Sequence, residues 1–154
     1  MGYRIKDLDD HTLRALGRVV WDAINVEDRA IRLAEEVLTR DAGRTPAGVM
    51  VKDAIAAVER WTPAEDVSDA LSWLQRVGDA LVRRNAVMHG IPSGTYPEGE
   101  PVLVYMHRDS EAITRTPLTA ATLDSLADDL ERLHREWVDL LLVIEQRGVR
   151  WDRR

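Results

Sequence analysis

The 154 residues include no cysteine. That excludes disulfides, thiolate metal sites and a cysteine nucleophile, and it suits a reducing compartment. Phenylalanine is missing as well, while there are 5 tryptophans, so leucine, valine, alanine and a few indoles must fill the interior. Long apolar runs are absent. A membrane-spanning helix needs about 20 apolar residues, and the longest candidate, Leu140 to Ile144, falls far short. The first residues, Met1 to Asp10, alternate charged and polar groups and lack the apolar stretch of a secretory signal, so a cytoplasmic protein is expected. Positive charge is not in excess either. The net charge is -6, which removes bulk attraction to nucleic acid or to an anionic membrane. Contact with nucleic acid would need a local basic patch inside an acidic shell.

What remains is an ordinary globular composition, 45% hydrophobic and 31% charged, in a chain long enough for one core and too short for two. A single domain over 1–154 is expected. Helical periodicity dominates. Leu13, Leu16, Val20, Ile24, Ile31, Ala34 and Leu38 recur at steps of three, four or seven, which predicts a first helix over 12–38 with these residues on its core face. Asp41-Ala42-Gly43 ends it and Thr45-Pro46 restarts the chain. A short second helix over 47–61 presents Val51, Ile55 and Val58. Thr62-Pro63, with Glu65 following, reads as the cap of a third helix that carries Val67, Leu71, Leu74, Leu81 and Met88. Gly90 is expected to close that helix in a left-handed conformation. The stretch 91–101 reads as a loop rich in Pro, Gly, Ser and Glu. Residues 102–108 and 111–117 then read as a hairpin around Asp109-Ser110. Thr119 is the expected cap of a long last helix. Its seam of Leu123, Leu126, Leu130, Leu133, Trp137, Leu140 and Ile144 suits a bundle or a coiled coil. The basic tail, 147–154, is expected to fray.

One cluster has the makings of a site. In Arg83-Arg84-Asn85-Ala86-Val87-Met88-His89-Gly90, Asn85 lies four residues after Leu81 on the apolar stripe, and His89 follows Asn85 by four. Arg84 sits at the stripe's edge, so Arg84, Asn85 and His89 are expected to converge on one pocket. Arg83 turns to solvent, and Asp79 is its expected partner. An imidazole with an ordinary pKa near ~6.5 exchanges protons at neutral pH, and a guanidinium binds phosphate through two parallel hydrogen bonds. Those are the parts that cleavage of RNA at the 2′-hydroxyl requires, without a metal. An amide would orient its neighbours without adding charge. A plainer reading stands beside this one. Arg and His near a helix C-terminus also complement the negative end of the helix dipole. The inward amide weighs against that reading, because Asn85 costs stability on an apolar stripe unless it finds a partner.

Arg84-Asn85, three residues and then His89 resembles the Arg-x4-6-His motif of the HEPN superfamily. The surroundings are similar too: an amphipathic first helix, the motif on a later helix with Gly after the His, a Gly/Pro loop, a hairpin and a Leu-rich last helix. The resemblance implies an all-α, up-and-down helical bundle with a small β-hairpin inserted before the long last helix. It implies a homodimer in which two motifs face each other across a cleft. It also implies a metal-independent endoribonuclease, a toxin or defence effector, that leaves a 2′,3′-cyclic phosphate. Arg84 and His89 would be the catalytic pair and Asn85 a supporting residue. Neither a cofactor nor a metal is implied, and the partners would be RNA and an antitoxin protein. Members with a nucleotidyltransferase antitoxin often carry a Tyr two residues after the His. Here that position is Ile91, so control by modification of such a Tyr is not expected. The alternative is a catalytically inactive HEPN-like dimer that binds nucleotide, RNA or a protein.

Three further features stand out in the sequence. Glu27 falls on the first helix's expected core stripe. The preferred reading puts it at the bundle edge, reaching water; the other pairs it with a cation, Arg84 or His89. Glu131-x-x-His134 resembles half of a di-iron bundle site, but a second Glu-x-x-His is missing, so a surface pair is the preferred reading. His107, Arg108 and Arg115 form a basic group on the hairpin that could bind RNA phosphates. Charged hairpin edges that discourage aggregation are the commoner explanation.

Overall fold

A computed structural model of the chain describes residues 8–61, 64–95, 101–107, 111–149 and 151. Four helices, α1 (Asp10–Leu38), α2 (Ala47–Trp61), α3 (Ala64–His89) and α4 (Ala120–Arg147), enclose the core. Between α3 and α4 lie three short strands, β1 (Ile91–Thr95), β2 (Pro101–Met106) and β3 (Ile113–Pro117). The fold is mostly helical with a hairpin before the last helix, as the sequence leads one to expect. No helix among the described residues is long and apolar enough to cross a membrane. The expected cap at Thr62-Pro63, the turn at Asp109-Ser110 and half of the basic tail lie outside the described residues.

The ends of α1 have clear local causes. Asp9 caps it, accepting hydrogen bonds from the Thr12 amide at 2.8 Å and the Thr12 hydroxyl at 2.9 Å. These bonds favour the charged carboxylate and hold the Asp9 pKa below its ordinary value. The helix closes at Thr39, whose left-handed backbone (φ 51°) returns its amide to the carbonyls of Glu35 and Glu36. Gly43, with φ 56°, completes the turn toward α2.

The core face of α1 differs from the expected one. Ala15, Val19, Ala23, Val26, Ala30, Leu33 and Val37 are buried, whereas Leu13 and Ile24 are exposed. The true stripe is rotated toward smaller residues. Both stripes satisfy the helical spacing, and the larger side chains are the more conspicuous in the sequence. Alanine and valine, however, let helix axes approach closely. In α4 most of the expected seam is the observed one: Leu123, Leu126, Leu130, Leu133, Trp137 and Leu140 are buried, while Ile144 is only partly buried against the same core. Trp73 of α3 stacks at a tilt on Trp137, ring centroids 5.3 Å apart, and its Nε1 donates to the Leu133 carbonyl at 3.0 Å. The α2 residues Val51 and Val58 are buried as expected, joined by Met50, Ala54 and Ala57.

Ion pairs record how the helices run. His11 and Arg18 reach Asp124, and Arg18 also reaches Asp128 and Glu131, so α1 and α4 lie side by side in the same direction. Pairs between Arg83 and Asp129, Arg76 and Glu136, and Arg147 and Asp69 show α3 antiparallel to α4. The expected Arg83–Asp79 pair is therefore replaced by a cross-helix bond of 2.6 Å to Asp129.

The strands form one antiparallel sheet in the order β1-β2-β3. Part of the expected 91–101 loop is thus a strand, with Ile91 opposite Val104 and Pro92 opposite Leu103. Proline is tolerated there because β1 is an edge strand. Gly90 corrects another expectation. It is not left-handed, since Gly43 and Gly148 are the glycines with positive φ among the described residues. What it supplies is space: a Cβ would stand 2.4 Å from the Ala86 carbonyl oxygen and 2.8 Å from the Leu103 Cβ. The chain leaves α3 for the sheet too tightly to admit a side chain.

Candidate functional site

The last turns of α3 carry the motif, and the structure joins two of its three residues. The Nη1 of Arg84 donates to the Asn85 Oδ1 at 2.9 Å. Its Nη2 pairs with the Glu27 carboxylate on α1. The two side chains of that pair are 17% and 25% exposed, for Arg84 and Glu27 respectively. Of the two readings of Glu27, partnership with a cation is the one observed, and the cation is Arg84. The inward amide also has its partner, which answers the cost of placing Asn85 beside the apolar stripe.

His89 is placed differently. It is exposed in the last turn of α3, and it forms no hydrogen bond or ion pair among the described residues. Helix geometry sets it about 40° around the axis from Asn85 and about 140° from Arg84. The imidazole therefore shares a side with the amide, while the guanidinium leans toward α1. Convergence is direct for Arg84 and Asn85. For His89 it is limited to a common stretch of helix open to solvent. Apolar side chains flank this stretch. Ile24, one turn before Glu27 on α1, is 57% exposed, and Met88, one turn after Arg84, is 43% exposed. Trp21 on α1 is 69% exposed.

The hairpin does not gather its basic residues. His107 is fixed by its Nε2 lying 2.7 Å from the Thr114 hydroxyl, and its ring meets Tyr105 edge-on with centroids 4.9 Å apart. Arg115 pairs in register with Val104, and Tyr105 with Thr114. Strand alternation therefore puts His107 and Arg115 on opposite faces of the sheet. Arg108 lies outside the described residues. The face that bears Arg115 also bears Ile91, Met106 and Ile113, all exposed.

A second polar cluster, on the α1–α4 seam, escaped the sequence reading. Asp22 titrates above its ordinary value, first because burial disfavours its charge and then because Glu131 stands near. His134 and Arg18 pull the other way. The Nδ1 of His134 is buried without a hydrogen-bond partner. Glu131 itself pairs with Arg135 one turn on and with Arg18 at 3.7 Å. Only the parallel register of α1 and α4 brings Asp22 to Glu131 and His134, and nothing in either segment announces that register. Among the described residues no group of three or more His, Asp or Glu is arranged to hold a metal ion.

Family models, curated proteins and solved structures offer no match to the chain. The site must be judged on its own residues. Two surface cavities lie away from the motif. One, of about 290 Å³, sits where α1 meets α2 and is lined by Leu38, Arg40, Asp53, Ala56, Ala57 and Arg60. The other, of about 210 Å³, is a groove between α3 and α4 beside Arg76 and Glu136.

Proposed function

We propose that this chain is a HEPN-type, metal-independent endoribonuclease, a homodimeric toxin or defence effector acting on RNA. The observation that carries the reading is a guanidinium oriented by two acceptors on the same stretch of helix as an unpaired, solvent-open imidazole. A free arginine has five N–H donors. Glu27 and Asn85 each take a bond from a different terminal nitrogen, so others remain for a phosphate. In this reading His89 takes the proton from a ribose 2′-hydroxyl. The 2′-oxygen attacks phosphorus, the bond to the 5′-oxygen breaks, and that oxygen leaves with a proton from an imidazolium. Arg84 faces the charge that builds on the phosphorane. The products are a 2′,3′-cyclic phosphate and a 5′-hydroxyl. Apolar side chains left in water on α1, Trp21 and Ile24, and on the motif's own helix, Met88, support a second copy covering this side of the bundle.

A second reading, an inactive HEPN-like dimer that binds RNA, nucleotide or protein, is favoured by one observation. The Glu27 carboxylate offsets the charge of Arg84, which is what a purely structural ion pair between α1 and α3 would do. Purified protein incubated with end-labelled RNA in EDTA, beside Arg84→Ala and His89→Ala, separates the two. The nuclease reading expects cleavage by the parent protein and a loss of about 100-fold or more in each variant. Absence of cleavage, or cleavage that ignores both substitutions, rejects it.

A further inference from the structure

We infer that Glu27 is a positioning residue for the proposed RNA site, fixing the plane of the Arg84 guanidinium from α1 while Asn85 fixes it from α3. The inference rests on the nuclease reading for its functional consequence, and on geometry alone for the positioning itself. Two acceptors hold two different terminal nitrogens of one planar group, which removes rotation about its Cζ–Nε bond. At 17% and 25% exposure, both partners of the ion pair are largely withdrawn from water. Neither is readily replaced by solvent without leaving a partly desolvated charge unpaired. Arg83, one residue earlier, shows the contrast. It turns away to Asp129 on α4, where its side chain is far more open to water.

Glu27 has two effects of opposite sign on a phosphate. Its negative charge weakens the attraction of Arg84 for an anion. Its hydrogen bond holds the guanidinium in one orientation, so that charge developing in the transition state meets a preorganised donor set. Binding and turnover should therefore move apart when the carboxylate is neutralised. A simple structural staple would lower apparent kcat through the folded fraction and leave KM unchanged, and a blocking latch would raise both binding and turnover when released.

The test is Glu27→Gln, with Asn85→Ala as the second variant because it removes the other acceptor and leaves the ion pair. Steady-state cleavage of an RNA oligonucleotide in EDTA is expected to show kcat lowered about tenfold to 100-fold in Glu27→Gln with KM lowered as well. A kcat that is unchanged or raised, or a KM that does not fall, overturns the inference. Side-chain ¹H–¹⁵N spectra of the arginines supply a readout that needs no activity. The Arg84 terminal N–H groups are expected to be separate and slowly rotating in the parent chain, and averaged in Glu27→Gln and in Asn85→Ala. Free rotation in the parent, or restriction that persists in both variants, overturns the positioning role even if the protein proves not to cleave RNA. Restricted rotation without cleavage instead retains the positioning of Arg84 and rejects the nuclease reading, so the two failures are distinguishable.

Discussion

At the scale of single residues, three carboxylates on or beside α1 show how the same group is put to different uses. Asp9 is exposed and held in its charged form by the amide and hydroxyl of Thr12. Glu27 is largely withdrawn from water and matched by Arg84. Asp22 is partly buried beside another acid, so the folded protein holds its proton more tightly than the unfolded chain does. The sign follows from linkage. As pH rises from the ordinary Asp value through the raised one, the folded state binds more protons than the unfolded state, and stability falls. Asp22→Asn is therefore expected to raise the melting temperature near pH 7. Its advantage should disappear below the ordinary Asp pKa, as thermal melts across pH would show. An equal gain at all pH values would mean that charge on Asp22 is not the cause. The motif residues Arg84, Asn85 and His89 were legible in the sequence because their types and spacing are unusual on an apolar stripe. Asp22 was not, since its environment depends on a helix more than 100 residues away in the chain.

At the scale of elements, helix boundaries were largely written in capping and breaking residues. Thr119 accepts from the Thr122 amide at 3.2 Å, and the last helix begins where that cap puts it. Gly148, with φ 59°, closes the same helix. The first strand was hidden because Ile-Pro-Ser-Gly-Thr has the composition of a turn, and its pairing comes from β2 rather than from intrinsic preference. Gly90 was noticed for the wrong property. Its place at the α3–β1 junction is set by the Ala86 carbonyl and the Leu103 side chain, which leave no room for a Cβ. Gly90→Ala is accordingly expected to cost about 1–3 kcal/mol, the usual penalty of overpacking. Urea unfolding would register it as a lower midpoint at unchanged slope. A variant as stable as the parent would show that the junction has slack.

For the whole molecule, the bundle presents its large α1 side chains outward because its small ones are needed inward. Ala15, Ala23, Ala30 and Ala34 face the core, and Leu13, Trp21 and Ile24 are left toward water. The sequence showed an amphipathic helix but not which of two overlapping stripes the rest of the fold would choose. That choice depends on how near α4 lies, a property of the packed molecule. It also creates an apolar surface next to the Glu27–Arg84 pair. Should a second copy cover that surface, Ile24→Arg or Trp21→Arg will shift the protein toward monomer in sedimentation experiments at micromolar concentration, with little change in helix content. A mass that both substitutions leave unaltered would remove this face from any interface.

In the proposed reaction Arg84 and His89 serve one step on a phosphodiester. Mass spectrometry of RNA fragments produced in EDTA tests that most directly, since it reads which bond was broken and where the proton-bearing oxygens ended. Fragments ending in a 2′,3′-cyclic phosphate, facing new 5′-hydroxyls, and lost with either Arg84→Ala or His89→Ala, are the predicted result. Intact RNA, or fragments with 3′-hydroxyl and 5′-phosphate ends, would contradict it.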